Sequence, residues 1–531
     1  MASNDLIYTI PLGEGGLLTD LPHYKTPKTK KRLALNATIN NGVLEKSPGS
    51  ERWNDAALSS GIIHFREYFP SSTINRVLSV TRDGKVYKFD SPFVVNEVTP
   101  TGSAPVTLNT QQTLFTLLGG AEETGNPQKL FLYTGNDPVQ VIENDGVTRR
   151  NLNLPPTEWS GVNQAVGGVL HLNRVFAYSG HYVFVSKATD HEDFTSIPLV
   201  FPADPGVGDE VVAGFVYKGR LFFLKKPTGL YFLDIPTLNT DTWSIRKVLS
   251  TFGAVTPNSV VPVLDDIMIA NSYGTITSLK AVQKFGDVES ADVFDLLGVG
   301  SFTDNELSQS GQNERYGVYY PLKKQVYFSY RSVSNFKNDR IARIDVKNQR
   351  AEVFFEDKDQ PNCLALLRDT RGVEKPAYGA DDGFIYMMDS ENRWVGDQKG
   401  LETGYRFDII TPHDDMRSLA PDISDINKNF QKLELVYQPS GDFPLFVEIW
   451  IDGHLESTEK FLLTGGSELG RMQFDEDGFD DRLEQSEQIP ITGQGRRIAF
   501  RCYNEESGQN VRLIELKVYF KLAGQRQREN E

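Results

Sequence analysis

The stretch RVLSVTRDGKVYKFD, Arg76 to Asp90, carries an apolar run, a tight Asp83-Gly84 turn and a second run that ends on polar residues. Asp-Gly between two such runs is a strong short-range hairpin signal, because the tight turn needs residues that tolerate positive φ. The same plan returns in KLFLYTGNDPVQVIEN from Lys129, NRVFAYSGHYVFVS from Asn173 and VYKGRLFFLKKPTGLYFLD from Val216. It returns again in DDIMIANSYGTITSL from Asp265, KKQVYFSYRSVSNFKNDRIARIDV from Lys323 and YGADDGFIYMMD from Tyr378. About seven hairpins thus recur at roughly 45 to 60 residues, the period range of propeller blades, although the units are too divergent to form a true repeat.

A lone hairpin is marginal in water, and the run Leu221, Phe222, Phe223, Leu224 is apolar on both faces, so these hairpins need neighbours on either side. Radial stacking of four-stranded blades supplies that burial and leaves only short edges. A multi-sheet sandwich would also explain the hairpins. The reading is an all-β chain, a β-propeller of about six to seven divergent blades followed by a C-terminal antiparallel β-sandwich or barrel. Strongly alternating strands support that last domain, as in VRLIELKVYFKL, where Ile514, Leu516, Val518 and Phe520 share one face. The expected limits are an N-terminal arm and lead-in at 1–58, the propeller at 59–407, a linker at 408–425, the sandwich at 426–522 and a polar tail at 523–531. Helical patterns are scarce, with a turn or two expected in NELSQSGQNERYG and DISDINKNFQKLE.

Composition agrees: 531 residues, 11% aromatic, with 45 Gly and 27 Pro, suit several domains of short strands joined by turns. Two distant cysteines, Cys363 and Cys502, give no thiolate metal site and are expected as buried thiols. The start MASNDLIYTIPLGEGG lacks the basic and apolar regions of a secretory signal, so synthesis in the cytoplasm is the expectation. A formal charge of −16, from 71 acids against 55 bases, argues against a protein whose task is to grip nucleic acid phosphates. The one basic run, KTPKTKKR from Lys25 to Arg32, reads as a solvated flexible arm, with a docking or phosphate-contacting arm as the alternative.

Catalytic motifs are missing: there is no nucleophile elbow, HExxH, P-loop or sialidase-type turn, and no cofactor is expected. QFDEDGFDDRLE, Gln473 to Glu484, approaches a calcium loop with Asp475, Asp477, Asp481 and Glu484 as ligands, but position one is Gln473 and no helices flank it. An acidic exposed loop is the competing reading. HLNRVFAYSGHYVFVSKATDHEDF, His171 to Phe194, holds three of the seven histidines and three carboxylates. A shared metal would need His171 to approach His191 across the open end of the hairpin, since His181 lies a strand length away. The alternative is a blade core of Val175, Phe176, Val183, Phe184 and Val185 followed by a hydrated loop that Phe194 anchors.

LNATINNGVLEKSPGSERW, Leu35 to Trp53, resembles the opening of the tail nozzle proteins of short-tailed bacteriophages, also called packaged-DNA stabilisation or tail tubular B proteins, with Asn36, Gly42, Leu44, Pro48 and Gly49 in the matching places. The His171 to Phe194 stretch is similar to a blade hairpin of that family, with Arg174, Ser186 and Phe194 aligned. VVAGFVYKGRLFFLKKPTGLYFL, STFGAVTPNSVVPVLDDIMIAN and the C-terminal strands resemble later parts in the same order, whereas Ser290 to Gln312 and the acidic loop find no counterpart. The resemblance implies a non-enzymatic virion protein that forms a ring of six below the head-to-tail adaptor, retains packaged DNA, guides its ejection and carries fibres, spikes or needle proteins. It implies assembly in the host cytoplasm and only transient, non-specific contact with double-stranded DNA, which a wall of negative potential would let slide. Two other classes remain: a β-propeller glycan-binding or glycan-cleaving protein, and a tail-tip or fibre-adaptor component of a long-tailed phage.

Overall fold

A computed structural model describes residues 5–22, 25–71, 74–109, 116–119, 129–142, 147–161, 163–195, 199–200, 210–250, 252–271, 274–285, 292–297, 299, 315–346, 352–358, 360–369, 371–389, 406–439, 443–463, 484–505 and 510–523. Each of the seven hairpins read from the sequence is the middle of one small, mostly antiparallel sheet, and among the described residues seven such sheets close into a ring. Blade 1 runs from strand Ile62–Ser71 to Val94–Glu97, blade 2 from Thr99–Pro100 to Thr148–Asn151 and blade 3 from Gly167–His171 to Leu199–Val200. Blade 4 runs from Glu210–Tyr217 to Ser244–Leu249, blade 5 from Val260–Val263 to Ile276–Ser278 and blade 6 from Gly317–Tyr320 to Glu352–Asp357. Blade 7 holds Cys363–Arg368, Glu374–Gly379 and Ile385–Met387, and borrows Glu51–Arg52 as its fourth strand. The protein is therefore a seven-bladed β-propeller.

Adjacent innermost strands pack so closely that several positions admit no side chain. A Cβ on Gly317 of blade 6 would lie 2.3 Å from Val261 Cγ2 of blade 5 and 2.5 Å from Phe328. Gly214 of blade 4 stands in the same relation to Val169 of blade 3, at 2.8 Å. Gly317→Ala is expected to lower stability by about 1–3 kcal/mol through overpacking, read from the urea midpoint. The Asp-Gly turns have a second role. Gly84 and Gly383 both sit at φ 82°, and each carbonyl accepts a hydrogen bond of 2.9 Å from the amide of a connector leucine, Leu108 and Leu58 respectively. A Cβ on either glycine would meet that connector's backbone within 2.8 Å.

Ring closure comes from the front of the chain. Arg52 pairs with Tyr386 and Glu51 with Met387, and the Trp53 amide donates to Ile385 O at 2.8 Å. Asn54, buried, accepts from the Ile385 amide at 2.7 Å and donates to Ala56 O at 2.6 Å. Asn54→Ala orphans that buried amide and is expected to cost about 1–3 kcal/mol, with faster hydrogen exchange at Ile385 as the local readout.

The C-terminal domain is a two-sheet sandwich whose composition differs from the expected 426–522. One sheet holds Ala37–Asn40, Val43–Lys46, Arg512–Leu522, Lys428–Tyr437 and Gln485–Gly495 in that order, with Leu6–Pro11 also pairing along Arg512–Leu522. The other holds Leu33–Leu35, Phe407–Ile410, Ile498–Asn504, Pro444–Ile451 and His454–Leu462. Leu35 also pairs in parallel with Phe355, so this second sheet runs on into blade 6 and joins the two domains as one nine-stranded surface. The alternating face of the last strand, Leu516, Val518 and Phe520, shares one core with Ile449, Phe500 and Ile409.

The described residues between 6 and 46 are thus packed with the sandwich and not an arm, and 407–410 is a sandwich strand where a linker was expected to begin. The reason is chemical. Lys31 is buried, and its ammonium donates to the carbonyls of Leu12 (2.7 Å), Gly15 (3.1 Å), Thr29 (3.0 Å) and Glu14, while burial pulls its pKa down to about 7 against the pull of Glu352. Arg32 caps the carbonyls of Thr19 and Leu21, and Lys28 reaches Thr9 O at 2.8 Å above the Tyr8 ring. These cations fasten the segment's own backbone. Of the two expected helical stretches, Pro421–Ile423 forms a single 3-10 turn, and most of NELSQSGQNERYG lies outside the described residues.

Candidate functional site

The seam where the ring closes carries a concave feature. A cleft of about 860 Å³ lies between blades 7 and 1, lined by the closing strand with Trp53 and Asp55, by Ser91 to Phe93 of blade 1 and by Arg368 to Gly372 of blade 7. Five cations face it: Arg52, Arg76, Arg368, Arg371 and Lys375. Four carboxylates accompany them: Glu51, Asp55, Asp90 and Asp369. The wall is locally positive by one charge on a chain of −16.

Arg368 pairs with Glu374 at 3.0 Å. Asp90 holds Arg76 at 2.6 Å and Lys88 at 3.1 Å. Asp369 is farther from its partners, 3.5 Å from Arg371 and 3.6 Å from Lys375, and its Oδ1 accepts the amides of Arg371 and Val373 at 2.9 Å. Burial works against that carboxylate, but the two amides and the cations outweigh it and hold its pKa below the ordinary range. Arg52 lies 4.4 Å over the Phe384 ring with its Nη2 buried and without a hydrogen-bond acceptor among the described residues. Trp53 meets Phe89 edge-on at 5.2 Å, and Phe93 stands 71% exposed.

A polar clasp fixes the same seam. Asp381, in the Asp-Gly turn of blade 7, accepts from Arg82 of blade 1 at 2.8 Å, from Asn362 at 2.6 Å and from Lys337 of blade 6. Burial opposes the charge, yet these three donors lower the pKa of Asp381. One carboxylate therefore ties three blades together. Beside it Tyr316 reaches from blade 6 past blade 7, donating to Ile63 O at 3.0 Å with its ring 5.9 Å from His64.

His64 is buried with neither ring nitrogen hydrogen-bonded among the described residues, and burial, aided by Arg66, lowers its pKa to about 3. The sign follows from linkage. Between the unfolded value near 6.5 and about 3 the unfolded chain binds the extra proton, so stability falls as pH drops through that window. His64→Leu is expected to flatten the contribution, by up to about 1.4 kcal/mol per pH unit, in denaturation midpoints compared at pH 7 and pH 5.

The histidine-rich stretch forms the middle of blade 3 and brings no metal site together. His191 Nε2 lies 3.2 Å from Asn173 O at one end of the hairpin, while Gly180 and His181 form the turn at the other. The loop beyond is not hydrated as expected: His191, Glu192, Asp193 and Phe194 are all buried. Glu192 takes a bidentate pair from Arg150 at 2.8 Å and one from Lys129 at 2.9 Å, both of blade 2, and Asp193 binds Lys187 and Thr195. The Lys187 ammonium, then Thr195, pulls Asp193 down to about 2. Among the described residues no group of three or more His, Cys, Asp and Glu could hold a metal. Asp475, Asp477 and Asp481 lie outside the described residues, and Glu484 is exposed at their border.

The residues behind the family resemblance all serve the scaffold. Asn36, at φ 50°, donates to Arg406 O at 2.7 Å and accepts from the Asp357 amide at 2.9 Å, so it joins the lead-in to both domains. Gly42 makes the turn between the strands ending at Asn40 and starting at Val43, Leu44 is fully buried, and Pro48 and Gly49 lead into the closing strand. Arg174 donates to Ser186 O at 2.9 Å, and Ser186 Oγ accepts the Val175 amide at 2.9 Å. The cleft was not foreseen from sequence. Its residues come from five separated segments, and only the oddity of SERWND before the first hairpin could have pointed to it.

Neither a family model nor a curated protein matches the chain. Among solved structures it is similar to YCF48 from Cyanidioschyzon merolae, with 9% identity over 64% of this chain and 98% of that one and a TM-score of 0.38. It is also similar to BamB from Moraxella catarrhalis, with 9% identity over 67% and 96% and a TM-score of 0.34. Values this low say nothing about activity. No helix among the described residues is long and apolar enough to cross a membrane.

Proposed function

We propose that the protein is a structural component of a short-tailed bacteriophage tail, a nozzle or hub subunit that forms a six-membered ring below the head-to-tail adaptor. In this reading the ring retains packaged DNA, guides its ejection and supports fibres or spikes, and the chain has no catalytic task. The supporting observation is the place of the lead-in segment. Leu33 to Arg52 joins the sandwich to blade 6 at Leu35, continues as a sandwich hairpin and finally closes blade 7, and of the residues that resemble the nozzle family Asn36, Pro48 and Gly49 sit at those transitions. Side chains that would be chemistry in an enzyme are here engaged with backbone or with opposite charge: Lys31 fastens the backbone of its own segment, and Asp381, Glu192 and Arg343 tie segments distant in sequence. A rigid propeller fused through one sheet to a sandwich suits a part that bears load.

The net charge of −16 fits a surface along which a polyanion slides without adhering, since adhesion would need phosphate contacts by Lys and Arg. Mass photometry of the purified full-length chain tests the reading. A six-fold ring is expected at micromolar concentration, alone or with the adaptor. A chain that stays monomeric under both conditions, and is absent from virions imaged with a labelled copy, would overturn it.

A further inference from the structure

We propose that the glycine-rich loop from Leu12 to Gly16 is a monovalent-cation site, filled in this chain by the Lys31 ammonium. Without that side chain it takes potassium or ammonium from solution. The oxygens of the site come from the backbone alone. Lys31 Nζ donates to the carbonyls of Leu12 at 2.7 Å, Thr29 at 3.0 Å and Gly15 at 3.1 Å, and also to that of Glu14. Potassium and ammonium are close in size, and converging carbonyls are the groups that replace the hydration shell of potassium. Hard divalent cations instead take carboxylates and water among their oxygens. Among the described residues no carboxylate lies within ion-pair distance of Lys31 Nζ. Glu352 and Glu14 act on it at longer range, and Glu352 pairs with Lys30 at 3.8 Å.

The local sequence is shaped for this cage. GEGG, Gly13 to Gly16, lets the chain turn tightly enough for the carbonyls on either side of Glu14 to point inward. Gly15 sits at φ 67°, and a Cβ there would lie 2.7 Å from Thr29 O, itself one of the cage oxygens. Lys31 is only 1% exposed, so the negative ends of four carbonyls converge on a point shut off from water, and a positive charge is what lets them do so. The loop is also a joint between the two domains. The Leu12 amide donates to Ile514 O of the last sandwich strand at 2.8 Å, and the Leu17 amide to Val353 O of blade 6 at 3.1 Å. Between them the Lys31 amide donates to Gly16 O at 3.1 Å, so the caged cation fixes the loop that touches both.

The test compares the melting temperatures of full-length Lys31→Ala and Lys31→Met in the chlorides of potassium, ammonium, lithium and tetramethylammonium, at one ionic strength of about 0.15 M. Alanine empties the cage and leaves the path of the lysine stem open. Methionine refills that path with apolar atoms and brings no charge. In potassium or ammonium Lys31→Ala is expected to be the more stable of the two, and in lithium or tetramethylammonium the order reverses, as packing alone dictates. The melting temperature of Lys31→Ala should rise with the logarithm of potassium concentration, as linkage requires for an ion that only the folded chain binds. The wild type, whose site is already filled, should stay within about 1 °C across the four salts. The proposal is overturned if Lys31→Ala melts alike in all four salts, lies below Lys31→Met in every one, or folds in none of them.

Discussion

Arg343→Ala is expected to lower stability by about 3–5 kcal/mol, because it leaves buried carboxylates without their cation. Arg343 lies in the third strand of blade 6, and its guanidinium donates to Glu356 at 2.5 Å, to Ser47 Oγ at 3.1 Å and to Ala37 O at 2.6 Å. Asp345 stands 3.6 Å away and the Phe354 ring 4.8 Å below. Side-chain exposure is 3% for Arg343 and 4% for Glu356, so water cannot replace what the substitution removes. Two of its partners, Ala37 and Ser47, belong to the segment that passes from the sandwich to the closing strand. The loss should therefore appear in urea denaturation as an earlier midpoint for the propeller and the sandwich together. In a double-mutant cycle, Arg343→Met with Glu356→Gln should recover part of the loss, since Glu356 is then not left as a buried ion without its cation. A loss below about 1 kcal/mol for Arg343→Ala would show that the group is solvated and that the joint is held elsewhere.

How much of this was legible in the sequence depends on the range of each contact. The hairpins were legible because strands two and three of a blade are joined by a few residues, and Asp83-Gly84 or Asp382-Gly383 marks the turn locally. Ring closure was not. Arg52 and Tyr386 are paired across more than half of the chain, and a two-residue strand has no periodicity to read. The basic run from Lys25 failed as a signal for a different reason. Charge density normally marks a solvated face, but Lys31 sits where the carbonyls of Leu12, Glu14, Gly15 and Thr29 converge, and only the fold creates that cage. The candidate cleft is the extreme case, since Arg52, Arg76, Phe93 and Arg371 share no local pattern and meet only because blade 7 is completed by the front of the chain. Sequence reading thus finds the repeated unit and misses what joins the last unit to the first.

The second large effect concerns the histidine-rich stretch. Phe194→Ala is expected to cost about 3–5 kcal/mol, the range for a buried aromatic whose cavity cannot collapse. Phe194 is 1% exposed, its ring lies 5.3 Å from Trp159, and Trp159 in turn meets Phe184 of the hairpin at 5.2 Å. Its amide donates to Leu154 O at 3.2 Å, which carries the contact back to blade 2. Trp159 is also the natural probe, because its emission should shift to the red when Phe194 is truncated. The comparison with His171 decides what the stretch is for. His171 is partly exposed on the innermost strand and burial lowers its pKa, so His171→Ala removes little packing and should stay within about 1 kcal/mol of the parent. Equimolar zinc should shift the melting temperature of neither the parent nor this variant. A zinc-dependent rise in the parent that His171→Ala abolishes would restore a metal site. Failing that, the density of histidines and carboxylates reflects a joint between blades 2 and 3, in which Glu192 supplies the ion pairs and Phe194 the packing, and the histidines stand at the ends of the hairpin.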